Sequence, residues 1–311
     1  DIPLTGWADN TITVTGSLDQ PSAQGSFHLT SGSAYGYLYK NVSADYTLRD
    51  GTVYITNGDI TAYDASIRVA GYLGQHMDLT LDGSHLDIAR LVPQKGPQRS
   101  GIMNVRGHLG GTMDNPVFEG SLQSDSLTFN GIALDDIQGN LGYYGGIFRL
   151  TDFHFKQNGG TYELRGGYNP ANGWIMARAR VQAADLGSIL KLSGAPLQSI
   201  QGRLEGQLAI DGTTDDPRAR LTGTLTQGYI DDAAVEPARI DVQYEDNAVQ
   251  IHELTLKSGD AVLAAQGSYA LHGPVQMQIA AHHFPARLLA AVTGQTNVQI
   301  DAPVDFAANL S

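Results

Sequence analysis

The sequence predicts an all-β protein in which one unit of about a hundred residues occurs three times. Three observations support this fold class. Hydrophobic and polar residues alternate along much of the chain, which is typical of strands that bury one face. Turn motifs recur at regular intervals. Glycine is abundant at 37 of 311 residues, whereas charged residues make up only 16%. Uncharged polar residues suit the open face of a sheet.

The repeat is marked by a turn motif that runs from a glycine to a proline five residues later. The three prolines are 95 and 101 residues apart. A further glycine lies fifteen residues before each proline, and a hairpin-turn residue lies twenty-nine residues after it. Asp-Gly and Gly-Gly favour two-residue hairpins because they accept a positive φ angle. The landmarks are Gly6, Pro21 and Asp50; Gly101, Pro116 and Gly145; and Gly202, Pro217 and Asp246.

These landmarks divide the chain into repeats at residues 1–100, 101–201 and 202–311. No polar or proline-rich linker separates them, so we expect the repeats to stack into one continuous sheet rather than to form separate domains. The alternation continues to Leu310, and the sequence begins without Met. We therefore expect the chain to be part of a longer protein.

Each repeat ends in a short segment whose apolar residues recur three or four positions apart, which predicts one short helix per repeat. Asp185 suits the N-cap of the second helix, and Pro285 suits the first turn of the third. The three segments are residues 86–91, 185–192 and 284–292. The glycines expected to end the helices are Gly96, Gly194 and Gly294.

A sheet with one apolar face has to cover that face. We expect an elongated half-pipe, or taco, whose inner face forms an apolar groove, with a closed core as the alternative. An open groove favours an apolar ligand such as lipid acyl chains, because large exposed apolar patches are costly in soluble proteins. The residues predicted to line the groove are Val53, Ile55, Val69, Leu79, Val105, Phe129, Leu141, Phe148, Leu150, Leu164, Val181, Leu208, Ile240, Val242, Val275 and Met277.

The net charge of −13 argues against nucleic acid as a partner and against docking on an anionic membrane surface. The chain has no cysteine, which excludes disulfides and thiolate metal sites. No apolar run is long enough for a membrane-spanning helix, so we expect any membrane anchor to lie outside this sequence.

The sequence indicates neither an enzyme nor a cofactor, because it contains no phosphate loop, nucleophile elbow or dinucleotide-binding motif. His282 and His283 are adjacent, and neighbouring residues of a strand point to opposite faces, so we predict that they do not share a metal. Acidic doublets are interpreted as turn residues, with loose Ca²⁺ binding and a glycosidase pair of carboxylates as alternatives. The doublets are Asp135-Asp136, Asp215-Asp216 and Asp231-Asp232.

The sequence around the repeated turn resembles the sequences of the TamB-like branch of the AsmA-like superfamily of Gram-negative envelope proteins. The resemblance covers the whole chain, through the signature Gly-Thr-x-x-x-Pro-x-x-x-Gly-x-Leu. It extends to residues 127–136, and to Asp185-Leu186 followed by the segment 202–206. The third repeat departs from the signature, because Gly223 comes two residues late. The signature is complete in Gly111, Thr112, Pro116, Gly120 and Leu122.

The resemblance implies a β-taco groove in a periplasmic body, an inner-membrane anchor N-terminal to this sequence, and a bridge between the two membranes of a diderm bacterium. It implies phospholipid acyl chains as ligands and a BamA-like outer-membrane partner. We therefore expect a bridge segment that carries phospholipid for outer-membrane biogenesis. Two other functions stay open. One is a scaffold for outer-membrane protein assembly that pairs client strands at a sheet edge, and the other is a closed-core β-solenoid adhesin.

Overall fold

The structure is a computed structural model that describes residues 4–17, 21–34, 36–91, 98–193, 200–230, 233–235, 237–270, 273, 275–286 and 302–310. These residues form 20 strands and two short helices. The strands make an open antiparallel sheet, so the all-β prediction is confirmed. The chain divides into two compact units. Unit 1 comprises Asp1–Gly131 and Asp135–Thr151, and unit 2 comprises Ile132–Leu134 and Asp152–Ser311.

Unit 1 is a meander in which the first eight strands pair with one another in chain order. A single helical turn, α1 (Ile88–Leu91), follows the sixth strand. The strands are β1 (Leu4–Gly16), β2 (Pro21–Ala34), β3 (Tyr37–Arg49), β4 (Thr52–Ala62), β5 (Ala65–Leu73), β6 (Met77–Asp87), β7 (Arg99–Gly111) and β8 (Pro116–Phe129), followed by β9 (Ile132–Tyr144) and β10 (Ile147–Gln157).

Unit 2 continues the meander, and helix α2 (Leu186–Ser193) follows its second complete strand. The long fourteenth strand pairs with the sixteenth along its first part and with the short fifteenth at its end. The strands are β11 (Gly160–Asn169), β12 (Trp174–Asp185), β13 (Ile200–Thr213), β14 (Pro217–Ile230), β15 (Ala233–Val235), β16 (Ala238–Glu245), β17 (Ala248–Ser258), β18 (Ala261–Ala270), β19 (Val275–Pro285) and β20 (Pro303–Leu310).

Two-residue turns join strands at the predicted positions. Asp50 and Gly51 both have positive φ angles, 51° and 72°, as a type I′ hairpin between β3 and β4 requires. Gly145-Gly146 joins β9 to β10, and Asp246-Asn247 joins β16 to β17, again with positive φ at both residues. The hairpin predictions are therefore confirmed.

The proline motif forms a second kind of turn. In each copy the glycine ends one strand and lies opposite the proline that begins the next. The motif occurs at β1–β2, β7–β8 and β13–β14, so it recurs every six strands. The chain is thus repetitive in structure, whereas the repeat boundaries at residues 101 and 202 stay predictions. The opposed pairs are Gly16 with Pro21, Gly111 with Pro116, and Gly212 with Pro217.

β-Bulges interrupt the pairing of several strands. A bulge adds one residue to a strand, so successive apolar positions lie three residues apart instead of two. The register jumps from Gly83 to Leu86 in β6 and from Val181 to Ala184 in β12. Leu86 and Ala184 are buried as a result. Residues with positive φ inside such register shifts include Asn57, His85, Ala183 and His283.

The second predicted helix is confirmed as α2, with Asp185 as its N-cap. The first starts later than predicted, because the bulge at His85 keeps Leu86 in β6 and α1 begins only at Ile88. The third also starts later than predicted, since Phe284 and Pro285 belong to β19 and Ala286 is the first helical residue. Residues 287–292, and the glycines at 96, 194 and 294, lie outside the described residues.

A hydrophobic core closes one end of the strands in unit 2. Phe284 is fully buried there, together with Leu225, Val235 and Leu263. Leu186, the first residue of α2, packs against this cluster. The bulges lie between this cluster and the proline turns. The apolar face is therefore covered at the end of the strands that carries α2.

Candidate functional site

The apolar face of unit 2 carries an unbroken row of residues that crosses eight strands, from β11 to β19. Each member lies directly opposite the next, and none has a polar side chain. All of them are half-buried. With about 4.8 Å between neighbouring strands, the row is about 33 Å long. This central row consists of Leu164, Ala179, Leu208, Leu221, Val242, Ile251, Gly267 and Met277.

Two further rows flank the central row. They contain aliphatic residues, glycine and tyrosine but no charged residue. Three adjacent rows without charge form an apolar strip on this face, which we call the trough. The row nearer the proline turns is Gly166, Ala177, Ile210, Ala219, Tyr244, Val249, Tyr269 and Val275. The row nearer α2 is Tyr162, Val181, Gly206, Gly223, Ile240, Leu254, Ala265 and Ile279.

The trough differs from the core in how far it is shielded from solvent. Phe284 and Leu204 are 0% and 2% exposed, whereas the members of the central row are only half-buried. Tyr269, at the end nearer the proline turns, is 40% exposed. Exposure therefore increases from the core toward the proline turns, and the apolar strip is partly open to solvent.

Unit 1 has an apolar face of the same kind. Two rows cross β1 to β8 without a charged residue. Their central members Met77 and Leu79 are buried, whereas Ile12 and Val14 on β1 are 51% and 64% exposed. One row is Val14, Ala23, Leu48, Val53, Leu73, Met77, Gly111 and Pro116. The other is Ile12, Gly25, Tyr46, Ile55, Gly71, Leu79, Leu109 and Phe118.

The pairing places twelve of the sixteen predicted groove residues on these apolar faces. Val69 and Val105 lie two and four positions beyond the rows of unit 1, opposite Leu81 and Leu122. The others in unit 1 are Val53, Ile55 and Leu79. Those in unit 2 are Leu164, Val181, Leu208, Ile240, Val242, Val275 and Met277.

The other four predicted groove residues do not belong to the apolar rows described above. Phe129 lies opposite Arg99 and is 39% exposed. Phe148 is 52% exposed, and its ring centroid is 4.8 Å from that of Tyr143. Leu141 in β9 and Leu150 in β10 are half-buried.

Several trough residues were missed among the predicted groove residues. Leu221 and Ile251 belong to the central row, and Ile210 and Ile279 to the flanking rows. The alternation of each strand contains them. What the prediction lacked was the register, that is, which residues of neighbouring strands lie opposite each other. The register can be derived when the proline turns and hairpin turns are taken as the fixed ends of each strand pair.

A partly buried chain of hydrogen bonds attaches α2 to the sheet beside the trough. The hydroxyl of Tyr162 donates to the Gln157 Oε1 atom (3.1 Å), and Gln157 Nε2 donates to the hydroxyl oxygen of Ser188 (2.9 Å). The Ser188 hydroxyl donates to Asp185 Oδ2 at 2.6 Å, and the Ser188 backbone N–H donates to the same oxygen at 3.1 Å. Gln157 is buried, so its amide depends on these partners.

The chain also shifts two pKa values. Burial raises the pKa of the Tyr162 hydroxyl, and the nearby charge of Asp185 raises it further. Burial by itself would raise the pKa of Asp185, but the hydrogen bonds from Ser188 and Asn158 outweigh this effect and lower it. Asp185 is therefore ionised while it caps α2.

The opposite face of the sheet is polar and carries cross-strand ion pairs. The Arg220 guanidinium donates to both carboxylate oxygens of Asp241, at 3.1 and 2.9 Å. These hydrogen bonds lower the pKa of Asp241. Such exposed pairs contribute little to stability. They do identify this face of the sheet as the polar one, because charged side chains are confined to the face that does not carry the trough.

A cavity of about 770 Å³ lies on this polar face, between β10 and β14. Arg165 and Arg178 lie directly opposite each other at its edge, and Arg180 and Arg220 complete a group of four arginines. Arg178 donates to the carbonyl oxygen of Ile210. Most of the lining is polar, including Asp152 and Glu163, and Leu164, Ala179 and Leu208 of the central row also line the cavity.

The structure overturns the prediction that His282 and His283 point to opposite faces. His283 lies in the bulge of β19 with a φ angle of 49°, so the alternation fails there. The two ring centroids are 4.2 Å apart, and both imidazoles reach Asp305 of β20. Among the described residues, these three form the one group of His, Cys, Asp or Glu side chains close enough to share a metal ion.

The acidic doublets differ in their placement. Asp215-Asp216 lies in the turn between β13 and β14, as predicted. Asp135-Asp136 lies within β9 instead, with a positive φ angle at Asp136, so its assignment to a turn is wrong. Asp231-Asp232 lies outside the described residues.

Comparison with family models, curated proteins and solved structures gives no significant match. The fold and the trough are therefore interpreted from the residues of this chain alone. Within the described residues, neither α1 nor α2 has the length and hydrophobicity that a membrane-spanning helix needs.

Proposed function

We propose that this chain is a lipid conduit, in which acyl chains lie along the trough while the polar headgroups stay in water. The observation that supports this function is the central row, from Leu164 to Met277, which is uncharged across eight strands and only half-buried. Apolar surface that remains accessible along such a length is costly in water, and an apolar ligand would remove that cost.

The dimensions of the trough suit an acyl chain. The hydrocarbon core of a bilayer is about 30 Å thick and contains two layers of chains. The central row, at about 33 Å, exceeds the length of one layer roughly twofold. Each buried methylene contributes about 0.8 kcal/mol. Binding energy is thus spread along the trough, and no single residue is needed for recognition.

Transfer along such a surface needs no chemical step, so we propose a non-enzymatic role. The resemblance to TamB-like proteins supports the same role and adds its setting. We propose that the parent protein is anchored in the inner membrane, that this segment lies in the periplasm, and that phospholipid moves toward the outer membrane with a BamA-like protein as a partner.

Lipid analysis of the purified chain tests this proposal. The chain is expressed with export to the periplasm, purified without detergent and measured by native mass spectrometry, with parallel solvent extraction. We expect adducts with the masses of phospholipids and a matching extract. A chain that is free of lipid, and that also takes up no phospholipid from vesicles, would overturn the conduit and favour a closed core.

A further inference from the structure

The bulge in β19 assembles a cluster of two imidazoles and one carboxylate at the junction with β20. His282 Nδ1 is 2.8 Å from Asp305 Oδ1, and His283 Nδ1 is 3.5 Å from the same oxygen. The two Nδ1 atoms are 3.3 Å apart. Three atoms of metal-ligating type therefore form a nearly equilateral triangle.

The size of this triangle suits a single transition-metal ion. A circle through three atoms at these separations has a radius of about 1.9 Å, and zinc binds histidine nitrogen and carboxylate oxygen at about 2.0–2.2 Å. An ion placed slightly above the plane of the three atoms can thus reach all of them at normal bond lengths.

The backbone also holds the carboxylate in place beside the two rings. The backbone N–H of His283 donates to Asp305 Oδ1 at 2.9 Å. All three side chains are exposed, which leaves room for water at the remaining coordination positions. Two nitrogen donors select Zn²⁺ and similar ions over Mg²⁺ and Ca²⁺, which prefer oxygen.

We propose that His282, His283 and Asp305 bind one divalent transition-metal ion of the zinc class. The ion would join β19 to β20 across their register shift, next to the pair formed by Phe284 and Val304. It would fasten β20 to the sheet at the place where the bulge interrupts backbone pairing. This site is independent of the trough, and it can exist whether or not the chain carries lipid.

Isothermal titration calorimetry tests the site. The untagged chain is stripped with a chelator and titrated with ZnCl₂. We expect one ion per chain, and no binding of MgCl₂ or CaCl₂. His282→Ala and Asp305→Asn should each weaken binding by about tenfold or more. His283→Asn keeps a residue that tolerates positive φ and should weaken binding similarly. The matched control His154→Ala removes an exposed histidine elsewhere and should leave binding unchanged.

Hydrogen exchange distinguishes a metal site from a cluster that is only ion-paired. Zinc should slow exchange of the β20 amides in the wild-type chain and not in Asp305→Asn. The proposal is overturned if the wild-type chain does not bind zinc, or if Asp305→Asn binds it with unchanged affinity. Loss of lipid from the trough would leave both zinc results as they are, so the two proposals can fail separately.

Discussion

Leu208 on β13 lies directly opposite Leu221 on β14, and both side chains are half-buried. Val242 on β16 follows in the same row, opposite Leu221. These three residues stand at the middle of the trough. A charged side chain introduced at one of these positions has apolar neighbours on both adjacent strands. A charged side chain at the next residue of the same strand points to the polar face and is in contact with water.

Val242→Asp should therefore abolish phospholipid binding by the trough. The carboxylate is costly to desolvate beneath an acyl chain, whereas the half-exposed position lets it stay hydrated when no lipid is bound, so the fold survives. The measurement is phospholipid content by mass spectrometry, with circular dichroism to check the strand content.

Gln243→Asp is the matched control, because it adds the same charge at the next residue, on the polar face opposite Arg220. It should retain its lipid. Normal lipid content in Val242→Asp would contradict the assignment of the trough, and so would equal loss in both variants.

Phe284→Ala should be strongly destabilising. Phe284 is fully buried in the core of unit 2, and truncation of a buried phenylalanine costs about 3–5 kcal/mol because it leaves a cavity. Urea unfolding followed by fluorescence measures the change. Phe148→Ala removes the same side chain from a position that is 52% exposed, and it should cost less than about 1 kcal/mol. Similar midpoints for the two variants would show that this end of the sheet is not packed.

Asp185→Ala should destabilise α2 by about 1 kcal/mol, because the helix loses its N-cap. The effect should depend on pH. The pKa of Asp185 is lowered in the folded chain, so its contribution is fully present above about pH 5 and is lost as the pH falls through the folded-state pKa. Unfolding free energies of both chains at several pH values should therefore converge as the pH falls below the ordinary carboxylate pKa of about 3.9.

Asp114→Ala is the control for Asp185→Ala. Asp114 lies in an exposed turn between β7 and β8, and its removal should change stability by no more than about 0.5 kcal/mol. A gap between wild type and Asp185→Ala that stays constant down to pH 3 would mean that the carboxylate does not act as the cap.

Gly71→Ala should destabilise unit 1 by about 3 kcal/mol, through strain and a clash. Gly71 has a φ angle of 134°, and a Cβ atom there would be 1.9 Å from the carbonyl oxygen of Asp78. Gly51 also has a positive φ angle, but a Cβ atom there would meet nothing within 4 Å. Gly51→Ala should therefore cost only about 1 kcal/mol. Thermal unfolding compares the two, and equal losses would refute the close approach of β5 and β6.

Local chemistry explains what the sequence could predict. The hairpins at Asp50-Gly51 and Gly145-Gly146 depend on residues that tolerate positive φ, and such residues can be read directly. The apolar faces follow from alternation. Asp185 could be recognised as a cap because its side chain acts on the first turn of the same helix.

The bulges could not be predicted, and the errors follow from them. A bulge depends on the pairing of two strands, and an extra residue such as His85 or Ala183 carries no composition signal. The bulge at His283 brought two adjacent histidines together, against the rule of alternation. The bulge at His85 also keeps Leu86 in β6, so the first helix begins two residues later than predicted.

The pairing of each strand with its neighbour in sequence has a kinetic consequence. Sheets usually fold slowly because their strand pairs are distant in the chain. Here Leu48 pairs with Val53 and Tyr244 with Val249, only five residues away. Folding can therefore start at any hairpin and spread one strand at a time, as in other repetitive proteins. A chain emerging end first could thus fold progressively, without waiting for its last residues.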